Sequence, residues 1–228
     1  MRLGWITVGI VVGACGRLDF DALGDGGAGN DGGSVRDGTL SSDAGYSGSG
    51  CLSPGSGDDF NESLPCKQWG EPVVDNATLN VSSGMLAITP DANAVATGGC
   101  LNSSLDFGAA GVFVHVLQYP NSGELQLAVT DTSTSTSWFI QATNQLDVTF
   151  GQSGGDLAQV GFDPSQTWLR IRPSGASVVF ETSSDGESWT VQHSAAGAAP
   201  SPLGASIEEI VTAADPGVTI LGGIDICP

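Results

Sequence analysis

Acid–base chemistry in this chain would have to come from its 25 Asp and Glu residues and its two His residues. Glu208 and Glu209 are adjacent, so on a strand their side chains would point to opposite faces. His115 and His193 each lie in an alternating stretch, away from any G-x-S-x-G or metal-ligand spacing. Because neither the adjacent glutamates nor the histidines have a catalytic spacing, we expect no catalytic residues and predict that the protein is not an enzyme.

A short apolar run near the N-terminus leads to the first cysteine. Arg2 supplies a positive charge, and the ten residues of Leu3 to Val12 have the length of a signal-peptide core, too short to span a bilayer. Val12-Gly13-Ala14-Cys15 resembles the lipobox of bacterial lipoproteins, whose cysteine receives a diacylglycerol on sulfur. The resemblance implies a signal peptide at residues 1–14 and a lipid on Cys15. The alternative is a buried N-terminal strand with a structural cysteine.

A lipidated Cys15 would leave four cysteines, an even number that an oxidising envelope compartment could pair. Three connectivities are possible. We favour Cys51 with Cys227, which brackets the folded region, and Cys66 with Cys100, which closes a local loop. No C-x-x-C or Cys/His spacing predicts a zinc site.

The charge and composition divide the chain into regions. The formal net charge of −19 at pH 7 excludes electrostatic attraction to nucleic acid. Between Ala22 and Gly50 there are ten glycines, four aspartates and few large apolar residues. Such a segment cannot bury enough apolar surface to offset its ordering entropy. We therefore predict a disordered tether at residues 15–50 and one domain at residues 51–228.

From residue 51 onward the apolar residues recur with period two, as in half-buried antiparallel strands. Tight-turn signals such as Ser83-Gly84 separate the alternating segments. Residues 206–214 could be a helix or a strand, and their β-branched content and flanking prolines favour a strand. Many short strands with almost no helix predict an all-β antiparallel sandwich or barrel. The alternating residues are Leu79, Val81, Leu86, Ile88, Val112, Val114, Val116, Leu125, Leu127, Val129, Leu146, Val148, Phe150, Leu169, Ile171, Val178 and Phe180.

Residues 168–190 carry a specific resemblance. They are similar to the hairpin of concanavalin A-like, laminin-G-like jelly-roll domains of bacterial surface proteins. The first strand of the hairpin would be Trp168-Leu169-Arg170-Ile171-Arg172, and the second would lead into Ser184-Asp185-Gly186-Glu187-Ser188-Trp189-Thr190. Residues 58–61 and 224–226 resemble the paired first and last strands. The resemblance implies a jelly-roll sandwich over residues 51–228. Glucanases of that superfamily carry E-x-D-x-x-E on one strand, and this chain has no E-x-D.

Sugar sites combine an aromatic platform with amide and carboxylate groups, sometimes with calcium. The residues that we consider for such a site are Tyr119, Trp138, Phe139 and Asn144. We regard a platform and a core position as equally probable for Trp138, whereas Trp69, Trp168 and Trp189 are expected in the core. We expect no obligatory cofactor. Calcium could bind Asp58, Asp59 and Asp225 near the first and last strands, and the alternative is that these aspartates are simply solvated.

These observations predict a lipid-anchored protein of the bacterial cell envelope, in the outer membrane or at the cell surface, with a non-catalytic binding module for glycans. One alternative is a structural or adhesive protein that contacts other surface proteins and has no small ligand. A second alternative is a glycoside hydrolase, which requires two carboxylates about 5 to 9.5 Å apart in a groove.

Overall fold

The computed structural model describes residues 57–58, 60–91, 94–105, 111–197, 203–211 and 217–225. The predicted signal peptide and tether, the lipidation site Cys15, and the residues Cys51, Asp59 and Cys227 lie outside these ranges. None of the described residues forms a helix long and apolar enough to cross a bilayer.

Within the described ranges the chain forms fifteen strands, and every strand pair is antiparallel. They are β1 (Gly57–Asp58), β2 (Glu71–Asp75), β3 (Ala77–Ser82), β4 (Met85–Pro90), β5 (Ala96–Leu105), β6 (Val112–Gln118), β7 (Glu124–Asp131), β8 (Thr136–Thr143), β9 (Asp147–Gln152), β10 (Gly155–Gly161), β11 (Trp168–Ser174), β12 (Ser177–Ser183), β13 (Thr190–Ala196), β14 (Leu203–Val211) and β15 (Thr219–Asp225).

Two sheets pack face to face. The eight-stranded sheet has the order β13-β12-β11-β6-β15-β4-β3, with β1 paired to β15, and the seven-stranded sheet has the order β10-β9-β8-β7-β14-β5-β2. The pairing of β1 with β15 confirms the predicted neighbours at the two ends of the domain. Because consecutive strands such as β5 and β6 lie in different sheets, residues far apart in sequence meet on one face.

Strand alternation places the core between the sheets. In β7 the side chains of Leu125, Leu127 and Val129 are fully buried, while the intervening Gln126 is half-buried. The predicted turn between β3 and β4 is confirmed, since Ser83 and Gly84 have φ values of 54° and 71°, as a two-residue hairpin turn requires. Residues 203–211 form strand β14. The predicted strand at residues 206–214 is therefore confirmed for its described part.

Two of the expected core tryptophans lie elsewhere. Trp69 belongs to the core, but Trp168 projects from the outer face of the eight-stranded sheet, where it stacks on His115 at a ring separation of 4.1 Å. The reason is strand parity: Leu169 and Ile171 face the core, so Trp168 must face outward. Trp189 also covers that outer face, with its ring 4.0 Å from the guanidinium carbon of Arg170.

Leu146 also departs from its predicted position in a half-buried strand. It is 68% exposed because it belongs to the turn before β9, in which the two preceding residues have positive φ.

Candidate glycan site on the seven-stranded sheet

The outer face of the seven-stranded sheet carries a row of polar side chains across its central strands. The register aligns Glu208 of β14 with Gln126 of β7, Gln141 of β8 and Thr149 of β9. Each residue alternates with core residues on its own strand, so all four side chains share the outer face. Amide, hydroxyl and carboxylate groups in one row provide donors and acceptors for the hydroxyl groups of a sugar.

Phe139 supplies an aromatic surface beside this row. Its cross-strand partner is Gly151, and a Cβ atom at Gly151 would lie 2.1 Å from a carbon of the Phe139 ring. The ring therefore lies flat against the glycine backbone, and the side chain remains half-buried rather than enclosed. A ring held flat on a sheet can present its other face to a sugar.

Two glutamates occupy neighbouring strands on the same outer face. Glu208 pairs with Gln126, and Glu124 lies two residues before Gln126, so the glutamates are diagonal neighbours on adjacent strands. Diagonal neighbours have Cα atoms about 7 to 8 Å apart.

Burial raises the pKa of both glutamates. For Glu208 a hydrogen bond with Ser206 partly opposes the effect of burial, and for Glu124 a hydrogen bond with Gln141 does so. The negative charge of Asp156 further raises the pKa of Glu124. Asp156 lies on β10, three strands from β7, which is about 14 Å in a flat sheet. Asp156 also lies on the outer face, because it pairs with Gly151.

Three of the predicted ligand-binding residues do not contribute to this outer face. Trp138 is 3% exposed within the core, so neither ring face is available, which agrees with the core alternative. Tyr119 is also buried, and its hydroxyl donates a hydrogen bond to the carbonyl oxygen of Gln166. Asn144 has a positive φ, and its side-chain oxygen accepts a hydrogen bond from the backbone N–H of Gly123. Of the four predicted residues, Phe139 alone lies in the row on the outer face of the seven-stranded sheet.

The predicted calcium ligands lie at the paired first and last strands. Asp58 is buried, and its carboxylate accepts hydrogen bonds from the backbone N–H groups of Phe60 and Gln68. Asp225 lies opposite Gly57 on the neighbouring strand. Among the described residues, no group of three or more His, Cys, Asp or Glu side chains is arranged to hold a metal ion. Because Asp59 is outside the described ranges, calcium binding stays a prediction.

The Cys66–Cys100 disulfide is present, as predicted, with Cα atoms 5.4 Å apart. It attaches the segment before β2 to strand β5 of the seven-stranded sheet. The Cys51–Cys227 bridge stays a prediction.

Sequence reasoning missed Glu124, Gln126, Gln141 and Glu208. The alternation in β7 and β8 contained a signal, because these side chains interrupt runs of core residues with polar groups. What the sequence did not contain was the order of strands, which brings β14 beside β7.

No protein-family model matches the chain, and no curated protein sequence matches it. Solved structures do match. An endo-β-galactosidase from Clostridium perfringens that releases GlcNAcα1-4Gal has a TM-score of 0.54 at 8% identity, over 75% of this chain and 61% of that one. A β-glucanase from Bacillus licheniformis has a TM-score of 0.49 at 11% identity, over 74% and 95% of the two chains. A family 29 carbohydrate-binding module has a TM-score of 0.30 at 10% identity, over 69% and 77%.

These similarities concern the fold. The chain is an all-β antiparallel jelly-roll sandwich, as predicted, and it shares this fold with the endo-β-galactosidase. The prediction that the protein is not an enzyme is corrected, because the chain shares its fold with an endo-β-galactosidase. That prediction considered only carboxylates close in sequence. The sheet instead places Glu124 and Glu208 at diagonal positions on adjacent strands.

Proposed function

We propose that this protein binds a glycan chain along the outer face of the seven-stranded sheet and hydrolyses a glycosidic bond with Glu124 and Glu208. The observation that carries the proposal is the pair itself: two half-buried glutamates occupy diagonal positions on adjacent strands, beside amide groups and a flat aromatic ring.

Hydrolysis needs one protonated carboxyl group and one carboxylate. The acid protonates the leaving oxygen, while the carboxylate attacks the sugar or activates water. Burial that raises a carboxyl pKa keeps an acid protonated closer to neutral pH. The hydrogen bond from Gln141 holds the Glu124 side chain in place on the outer face. Gln126 and Thr149 lie on the same outer face. In this proposal they bind the hydroxyl groups of neighbouring sugar units.

The test is the release of reducing ends from a panel of β-glucans, galactans and amino-sugar polymers by the purified full chain. Glu124→Gln and Glu208→Gln should each lower the rate by about 100-fold or more, since each removes a proton-transfer or nucleophilic group. Glu209→Gln is the matched control. It changes the adjacent glutamate, which faces the core, and should leave the rate nearly unchanged. Glycan binding without bond cleavage by the unmodified chain would contradict hydrolysis.

We also propose that the protein is held in the bacterial envelope by a lipid on Cys15, which the lipobox-like residues 12–15 support. Expression in a bacterial host with an alkyne-tagged fatty acid should label the unmodified chain, and Cys15→Ser should lose the label. Equal labelling of both chains would contradict the anchor.

A further inference from the structure

A cleft opens between the two sheets at the edge where β10 and β13 are the outermost strands. Its volume is about 290 Å³, at the lower end of the range for small-molecule sites. Val148 and Leu169 line the cleft and also belong to the core, so the cleft extends inward from the edge and does not lie on an outer face. Among the described residues, the cleft and the polar row on the seven-stranded sheet have no member in common.

The seven-stranded sheet supplies an apolar wall of the cleft. Val148 of β9 and Val160 of β10 are cross-strand partners, and Phe162 follows β10. The Phe162 ring meets the Tyr119 ring edge-on, with centroids 4.9 Å apart and an angle of 84° between the ring planes. Because the Tyr119 hydroxyl donates a hydrogen bond to the carbonyl oxygen of Gln166, this wall is held in place by the fold itself.

The eight-stranded sheet supplies a polar wall. Thr182 of β12 and Thr190 of β13 are cross-strand partners, and both line the cleft. The register shifts beside them so that Gln192 is an extra residue in β13, which makes a β-bulge. The Gln192 amide donates a hydrogen bond of 2.9 Å to the hydroxyl oxygen of the buried Thr182. Three side chains with hydrogen-bond donors and acceptors therefore share this wall.

The two walls suit a ligand whose own two sides differ in the same way. A pyranose ring has C–H groups on its faces and hydroxyl groups around its rim. A purely apolar ligand would separate Thr190 and Gln192 from water without replacing the lost hydrogen bonds, which costs free energy. An anionic ligand would meet Asp163, the charged residue of the lining.

We infer that the cleft binds one uncharged sugar unit, either a free monosaccharide or the last unit of a glycan chain. Val160 and Phe162 contact the C–H groups of the ring, while Thr190 and Gln192 bind its hydroxyl groups. This site is separate from the outer face of the seven-stranded sheet, and it does not depend on hydrolysis there.

The experiment is an NMR titration of the isotope-labelled full chain with glucose, galactose and N-acetylglucosamine. We expect amide shifts in β10, β12 and β13 around the cleft, with a dissociation constant on the order of 1 mM, which is ordinary for a ligand of about a dozen non-hydrogen atoms. The matching disaccharides distinguish the two sources of the sugar. A disaccharide that binds at least as tightly as its monosaccharide identifies a chain end as the ligand, whereas exclusion of disaccharides identifies a free sugar.

Variants of the cleft test its residues. Gln192→Ala should weaken the binding about fivefold, because it removes a hydrogen-bonding amide. Thr190→Trp changes an exposed position of the edge strand, and its ring should fill the cleft and abolish the shifts. Gln68→Ala is the matched control, since it removes an exposed amide beside β2, at the opposite edge of the seven-stranded sheet, and should leave the affinity unchanged. Thermal unfolding of each variant verifies that the fold is retained.

Two results would overturn the inference: no shifts around the cleft with any sugar well above the expected dissociation constant, or unchanged binding by a folded Thr190→Trp variant. Tighter binding of an apolar ring such as indole than of any sugar would overturn the sugar assignment. These outcomes are independent of the hydrolase proposal, whose test is the release of reducing ends and its dependence on Glu124 and Glu208.

Discussion

The outer faces of the two sheets contain similar types of residue and use them in opposite ways. On the eight-stranded sheet, Glu181 accepts hydrogen bonds from Arg170 at 2.6 Å and from Arg172 at 2.9 Å, and Trp189 covers the guanidinium group of Arg170. On the seven-stranded sheet, Glu124 and Glu208 have amide and hydroxyl neighbours but no described cation. One face pairs its carboxylate with arginines, and on the other face the two glutamates form no ion pair with a described cation.

The aromatic rings show the same difference. Trp168 and Trp189 contact other side chains of their face, since Phe113 lies 5.8 Å and 6.2 Å from the two rings. Gly186 lies against Trp168 so closely that a Cβ atom there would come within 2.8 Å of the ring. Phe139 has a glycine beneath it and is only half-buried. Outward aromatics thus stabilise the fold on one sheet and remain accessible on the other.

The largest predicted effect is the loss of Glu181. Glu181→Ala would leave the buried guanidinium group of Arg170 without its carboxylate, a change that typically costs about 3 to 5 kcal/mol of unfolding free energy. Glu208→Ala should cost much less, because Glu208 is half-buried and pairs with none of the described cations. Urea unfolding of both variants measures the difference, and equal destabilisation would contradict the contrast between the faces.

Glu209 extends the comparison to the space between the sheets. The side chain has no exposed surface, and neither carboxylate oxygen has a partner of normal hydrogen-bond geometry. Burial raises the pKa of Glu209 to about 7, although nearby Thr219 groups partly oppose this effect. The protonated form is therefore the one that the core accommodates.

This burial predicts a loss of stability as the pH rises. Below about pH 4.5 the carboxyl group is protonated in both the folded and unfolded states, and there is no penalty. Between about pH 4.5 and about pH 7 the unfolded chain ionises while the folded chain keeps its proton, so the unfolding free energy falls over this range and then levels off. Glu209→Gln should remove this decline and stabilise the protein at pH 9 by on the order of 2 kcal/mol.

Unfolding midpoints measured from pH 5 to 9 test this prediction. Glu208→Gln is the neighbouring control, and its shift with pH should be smaller because water reaches the outer face. Parallel pH profiles for the unmodified chain and Glu209→Gln would show that Glu209 is not the group responsible.

The sequence predicted those features that depend on local spacing. Alternation identified most strands, and it also determined the parity that separates Trp138 from Phe139: Trp138 shares its face with the buried Ile140, and Phe139 shares its face with Gln141. The Cys66–Cys100 pairing was accessible because it closes a short loop. The glutamate pair could not be predicted, because nothing in the sequence near Glu124 or Glu208 indicates that β14 pairs with β7.

The smallest predicted effects come from truncating one aromatic side chain on each outer face. Phe139→Ala should weaken glycan binding by about tenfold while changing the unfolding free energy little, since its ring stabilises only a glycine surface. Trp189→Ala should do the reverse: it removes a ring over Arg170, costs about 1 to 2 kcal/mol of stability, and leaves glycan affinity unchanged.

Calorimetric titration and thermal unfolding of both variants provide the two readouts. If Trp189→Ala weakened glycan binding as much as Phe139→Ala, the binding face would have to include the eight-stranded sheet. The present assignment depends on the opposite outcome, because, among the described residues, the outer face of the seven-stranded sheet combines a flat ring with carboxylates that form no ion pair with Lys or Arg.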